Sequence, residues 1–309
     1  MGRSGRTPLL CLALLACGLA FVACEPEVKD HPKDNFKPEG DREHIDYNRV
    51  DFSDLSERVV FFAELDQKLR LWREAKNKNV HEVIQPTELS LKEMVRGNFS
   101  QLVTACREGQ PSERAIASMA LGFSNDSRAL TPLLDLLADP DPDLRWNALV
   151  SIGNIHDPET PVDPILLALE DSDPRVRAGA AYCLGGVIPP RTDKGALIPL
   201  LKATQDPDTR VRANAVATLG AMGNHMATKT IVSNSLFDEH WIVRLNACAA
   251  LGRMKDQRSV VPLIEKLDDE NQDVRIMAEE ALQQITGQEY GRNKSAWRAW
   301  AEENKTELE

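Results

Sequence analysis

The chain has 309 residues, a formal net charge of -11 and only 5% aromatic residues. That length is enough for a sizeable core. The acidic balance excludes a broad nucleic-acid-binding surface, and the Ala-Leu-rich segments are a helical composition.

The first element is a targeting segment. Arg3 and Arg6 precede a 15-residue apolar run, Leu9 to Ala23, which is short for a membrane span. The run ends in "FVAC", followed by the polar "EPEVKDHPKD". Small residues before a cysteine at that place resemble the bacterial lipoprotein signal, which implies lipid attachment at Cys24. A second match, "LLAC", ends at Cys17. Cleavage there would leave "GLAFVA" greasy and exposed, so Cys24 is the expected site. An ordinary cleaved secretory signal is the alternative. The reading is 1–23 signal peptide and 24–57 disordered tether, the latter rich in Asp, Glu, Lys and Pro.

Residues 58–108 read as an N-terminal helical cap. Phe62, Leu65, Leu69 and Trp72 fall on one helical stripe. Residues 78–87, with Pro86, are expected to form a loop. Ser90 and Glu93 then offer a capping box, and Leu91, Val95, Phe99, Leu102 and Cys106 make a second stripe. Such helices would cover the open end of a stack.

Residues 109–286 are periodic. Arg114, Arg145, Arg177, Arg212, Arg244 and Arg275 recur at spacings of 31, 32, 35, 32 and 31 residues. An aspartate stands six residues before each of the last five, at Asp139, Asp171, Asp206, Asp238 and Asp269. A glycine stands eight after at Gly122, Gly153, Gly185, Gly220 and Gly252, and Gln283 replaces it in the last copy. Self-similarity at this period predicts stacked two-helix units. In one unit the first helix is "SRALTPLLDLLAD" and the second "DPDLRWNALVSIGNI". Asp141, Asp173 and Asp208 are expected N-caps. Positions one before, three after and seven after the arginine are apolar, as at Val176, Ala180 and Leu184. They predict a buried stripe. Cys106, Cys183 and Cys248 read as small buried apolar residues.

Units of the form "DPxxRVRxxAxxxLG" resemble HEAT repeats, in particular the short kind called PBS-lyase HEAT-like repeats. The resemblance covers about 109–286 and implies an all-α, right-handed-type α-solenoid of about six two-helix repeats with helical caps. The tail, 287–309, carries Trp297 and Trp300 three residues apart. It is expected to cap the last repeat.

The repeated Asp and Arg invite an enzymatic reading. Recurrence in every unit argues instead for a structural ladder, Asp139, Arg145, Asp171, Arg177, Asp206, Arg212, Asp238, Arg244, Asp269 and Arg275, bonding within or between units. None of the six histidines forms a metal-ligand pair with a cysteine or a second histidine at helical or loop spacing. Di-iron deoxyhypusine hydroxylases of similar architecture carry several His-Glu dipeptides. Here the dipeptide occurs once, at His81–Glu82, outside the repeats. No catalytic residue, metal ligand or cofactor is expected. Between residues 111 and 286 there are 25 acidic and 17 basic residues, which argues against a nucleic-acid partner.

One pattern remains. Asn147, Asn214 and Asn246 stand two residues after their arginines, interrupted by Gly179 and ended by Met277. Together with Trp146 and Tyr182 they form the expected partner-binding set, similar to the asparagine ladders of armadillo peptide grooves. Bonding of these asparagines inside the stack is the alternative. The expected function is a non-enzymatic scaffold for a protein or peptide, exported to the periplasm or cell exterior and held to a membrane through lipid alone. The competing readings are a chromophore lyase-like enzyme, which the repeat resemblance brings in, and a purely structural envelope protein.

Overall fold

The computed structural model describes residues 56–304. The signal segment, Cys24 and most of the expected tether lie outside them. The described chain forms two compact units, residues 56–132 and 133–304.

In the first unit, α1 (Glu57–Asn77) packs against α2 (His81–Gly97), and α3 (Phe99–Glu108) packs against α4 (Pro111–Leu121). Phe62, Leu65, Leu69 and Trp72 are buried as the stripe requires. The expected loop over 78–87 is corrected: α2 begins at His81 and carries Pro86 within it. Proline removes one backbone bond and crowds the preceding turn. Burial of Ile84 and Thr87 on the same helix overrides that penalty. Ser90 is therefore an interior residue and not a cap. Leu91, Val95, Leu102 and Cys106 of the second stripe are core and Phe99 is partly exposed, and the stripe divides at Asn98 between α2 and α3.

A departure from the repeat pattern explains how this unit closes. Glu113 occupies the position that is apolar in the later copies. Its carboxylate accepts two hydrogen bonds from Arg58 on α1, at 2.8 and 2.9 Å. The first copy thus meets a polar anchor where later copies meet another repeat.

The second unit is a stack of helix pairs. Its first helices are short: α5 (Leu130–Asp135), α7 (Asp163–Ala168), α9 (Leu197–Ala203), α11 (Thr228–Thr230) and α13 (Val260–Lys266). Its second helices are longer: α6 (Pro142–Ile155), α8 (Pro174–Val187), α10 (Thr209–Met222), α12 (Trp241–Met254) and α14 (Gln272–Thr286). Each second helix packs against the next, α6 on α8, α8 on α10, α10 on α12 and α12 on α14.

The second helices start where a side chain meets the N–H two residues ahead. Asp141, Asp173 and Asp208 accept from Asp143, Arg175 and Arg210 at 2.9, 2.7 and 2.8 Å. His240 and Asn271 do the same for Ile242 and Asp273 in the last two copies. The apolar stripe follows from these starts. On α6, α8, α10, α12 and α14, the residues one before, three after and seven after the arginine are at most 2% exposed. Each fully buried leucine or valine contributes about 1.5–3 kcal/mol. Gly220 shows why the small position recurs, since a Cβ there would lie 2.5 Å from the Cβ of Ala250.

Cys106, Cys183 and Cys248 are buried free thiols. Burial pushes the Cys248 thiol up to about 12, which keeps it an inert apolar filler. At the far end, α15 (Lys294–Glu303) packs on α13. Trp297 is fully buried there, edge-on to Tyr290, and donates its indole N–H to the Gly291 carbonyl at 2.7 Å. Lys294 reaches Glu265 and Asp268 at 2.9 and 2.8 Å. The tail closes the last pair with an aromatic lid and a polar clasp.

Candidate functional site: the face of the second helices

The arginines organise one edge of the stack. Arg177 donates from Nε and Nη2 to the two carboxylate oxygens of Asp206, at 2.8 and 2.9 Å, in the next repeat. Its Nη1 turns back to the carbonyls of Asp171 and Ser172 in its own turn, at 3.0 and 3.3 Å. Arg145, Arg212 and Arg244 repeat the arrangement with Asp171, Asp238 and Asp269. The carboxylates bond between repeats and the carbonyls within them.

Each aspartate also accepts the N–H two residues ahead, which holds the turn. Arg275 keeps the carbonyl contacts, to Asp269 and Glu270. The pairs become drier along the stack. Side-chain exposure falls from 15% and 13% at Arg145–Asp171 to 6% and 4% at Arg244–Asp269. These guanidiniums are committed to the fold.

The asparagine row runs inward. Asn214 is 9% exposed, and its Nδ2 donates to the Ala178 carbonyl on the preceding second helix at 2.9 Å. Asn246 is 5% exposed and donates to the Ala213 carbonyl at 3.1 Å. Asn147 is 7% exposed. The expectation that these amides line an open groove is corrected accordingly: all three are buried, and the donors of Asn214 and Asn246 stitch one helix to the next. The gap at Gly179 has a steric reason. The equivalent acceptor residue is Trp146, and a Cβ on Gly179 would lie 3.1 Å from Trp146 Cδ1.

Tyr182 is also committed. It is 8% exposed, its ring fills the slot above Gly153, and its hydroxyl donates to Asn154 Oδ1 at 2.8 Å. Of the five expected partner residues, Trp146 alone keeps a partly exposed side chain.

The sequence reading missed a stripe on α12. Ile242, Leu245, Ala249 and Arg253 lie three, four and four residues apart, so they share one helix face. All four are partly exposed, while Val243, Ala247 and Leu251 on the opposite side are buried. On α10 the corresponding positions are the small Ala217 and Ala221, also partly exposed.

Arg253 differs from the ladder arginines. No hydrogen bond or ion pair reaches its side chain among the described residues. Burial alone acts on it and lowers its pKa. Its signal in the sequence is an arginine where the other copies have Phe123, Asn154, Gly186, Ala221 and Gln284. Among the described residues no group of His, Cys, Asp and Glu is placed to hold a metal ion.

Comparison with known proteins agrees with this architecture. The profile of HEAT repeats matches residues 99–163, 162–234 and 228–292. An engineered protein shares 19% identity and a TM-score of 0.51 over 62% of this chain and 97% of its own. A second engineered protein reaches a TM-score of 0.50 at 18% identity, over 80% of this chain and 74% of its own. A designed armadillo repeat protein gives a TM-score of 0.48 at 21% identity, over 60% of this chain and 99% of its own. No curated protein matches the chain. The engineered structures speak to the fold, whereas the repeat profile extends over residues 99–292, well over half of the sequence. It begins at the start of α3, so the α3–α4 pair is included and α1 and α2 precede it, and by that match the chain belongs to the HEAT-repeat family.

Proposed function

We propose that this HEAT-repeat chain is a non-enzymatic scaffold that binds a protein or peptide across the second-helix face of residues 133–304. The observation that carries the reading is Arg253. A partly buried cation without a counter-ion is costly to the free protein. An acidic side chain or terminal carboxylate of a partner would supply the missing charge. Leu245 and Ile242 extend an apolar strip beside it, and Trp146 offers an aromatic anchor on α6. The ladder and the asparagine row serve this surface by fixing the spacing of the helices that carry it.

The same proposal places the protein in the cell envelope. A lipid on Cys24 and the polar stretch that follows would hold the folded units off the membrane. Absence of membrane retention in Cys24→Ser, with retention intact in Cys17→Ser, is the expected result. The reverse pattern assigns the lipid to Cys17, and release of the wild-type chain and both variants alike leaves an ordinary cleaved signal.

Capture from the native envelope, comparing the wild-type chain with Arg253→Glu, tests the binding surface. A discrete polypeptide retained by the wild type, lost with Arg253→Glu and rebound by the purified wild-type chain is the expected outcome. Equal retention by both chains removes the second-helix face from consideration. A bound pigment in place of a polypeptide favours the lyase-like reading.

A further inference from the structure

The unit of residues 56–132 contains a cavity of about 310 Å³ that the second-helix face does not include. It is lined by Lys92 and Arg96 of α2, Phe99 of α3, and the turn from Phe123 to Arg128. The volume falls within the range of small-molecule sites. Phe123 is 7% exposed and is held edge-on by Trp72 at 5.1 Å, so that side of the cavity is a rigid aromatic wall.

The charges in this cavity divide into two groups. Arg128 is spent. It makes hydrogen bonds of 2.6–3.0 Å to both carboxylate oxygens of Asp126 and lies over the Phe99 ring at 4.9 Å. Hydrogen bonds from Arg128, first through its side chain and then through its backbone, hold the Asp126 carboxyl below its ordinary range. The one acid lining the cavity is thus already neutralised.

Lys92 and Arg96 are different. They are four residues apart on α2 and share a face. No ion pair or side-chain hydrogen bond reaches either of them among the described residues. The cavity therefore carries two uncompensated positive charges beside two phenylalanines, in a chain whose formal net charge is -11. A dianion matches two cations better than a monoanion does. Guanidinium and ammonium donors both suit phosphate oxygens, and the aromatic walls favour a flat apolar body attached to that phosphate.

We infer that this cavity is a binding site for a small phosphate monoester carried on a flat apolar group, with Lys92 and Arg96 holding the phosphate and Phe99 and Phe123 flanking the body. The site is independent of the scaffold reading, so either can fail alone.

Calorimetric titration of the full chain with phenyl phosphate, inorganic phosphate and benzoate tests the assignment. Phenyl phosphate is expected to bind at least tenfold more tightly than either of the others. Inorganic phosphate lacks the ring, and benzoate lacks the second charge. The Lys92→Gln/Arg96→Gln variant is expected to lose at least tenfold in affinity while its melting temperature stays at the wild-type value, because both side chains are exposed. Lys92→Gln alone should lose an intermediate amount, which keeps the test valid if the double variant folds poorly. Affinity should also fall between pH 7.5 and pH 5, as a phosphate monoester loses its second charge near pH 6. Equal affinity for phenyl phosphate and benzoate, or unchanged affinity in the folded double variant, would overturn the assignment.

Discussion

Arg244 grips Asp269 across a repeat boundary with two parallel hydrogen bonds, Nε to Oδ2 at 2.9 Å and Nη2 to Oδ1 at 2.8 Å. Both side chains are almost dry, at 6% and 4% exposure. Removing Arg244 takes both of these bonds from Asp269 in a poorly solvated site, leaving it the Asn271 N–H at 3.0 Å and Lys266 at 3.6 Å. Arg244→Ala should therefore destabilise the stack by about 3–5 kcal/mol. Arg244→Lys should not rescue it, since an ammonium cannot make the two-pronged contact and hold the Asp238 and Glu239 carbonyls together. Arg145→Ala should cost less, because its pair is 13–15% exposed. Urea denaturation of the three variants checks the order.

Asn214 separates the structural role from the binding role. Its amide donates to the Ala178 carbonyl in a buried setting. Asn214→Ala removes that second donor while the carbonyl keeps its bond within α8, at a cost of about 0.5–1.5 kcal/mol. Asn214→Asp should cost more, because a carboxylate oxygen then faces the carbonyl oxygen. Thermal melting should show both losses. Affinity of the folded Asn214→Ala chain for its partner should hardly change, and a large loss of affinity without loss of stability would restore the asparagine row as a contact surface.

Leu184 tests the phase of the repeats. It is fully buried on α8, at the position seven after Arg177. Leu184→Asp places an unpaired charge there and should cost several kcal/mol, about 4 or more. A melting temperature equal to wild type would show that the apolar stripe is misplaced.

Acid should loosen the stack for an identifiable reason. Asp256 is 6% exposed, and it accepts from Thr228 at 2.6 Å and meets Arg258 and His225. Burial alone would raise its pKa. Hydrogen bonds from Arg258 and Thr228, with His225 adding to them, outweigh burial and hold the carboxyl well below the ordinary range. Asp269 and Asp208 are lowered too, against burial, by Arg244 and Arg210. A carboxyl with a depressed folded-state pKa binds protons more readily once the chain unfolds. Its stabilisation is thus fully present above the unfolded value of about 3.9 and is lost progressively as pH falls from there through the lower folded-state value. Melting temperature should be level between about pH 8 and 5 and fall below about pH 4. In Asp256→Asn the fall should be shallower, starting from a lower melting temperature at pH 7.

Much of this was legible in the amino-acid order alone. The Arg-Asp period, the Asp caps at Asp141, Asp173 and Asp208 and the stripe at Val176, Ala180 and Leu184 are local or strictly repeated features. Helix starts and buried faces depend on near neighbours, so a period in the sequence becomes a period in the structure. The helix over His81–Gly97 was not legible. Pro86 is a local breaker, and only burial of Ile84 and Thr87 against α1 shows that it is overridden.

Which residues recur is written in the amino-acid order, but where their hydrogen bonds go is not. An asparagine at one place in each repeat suits a groove or a seam equally well, since its amide donates and accepts in either setting. The stacking distance decided between them by bringing the Ala178 carbonyl to 2.9 Å from Asn214. The same holds for charge. Arg244, Arg253 and Arg96 are alike as letters. Packing gave Arg244 a carboxylate in the next repeat, left Arg253 partly buried without one, and set Arg96 beside Lys92 at the edge of a cavity. Those assignments depend on neighbours that the chain brings together only when it folds.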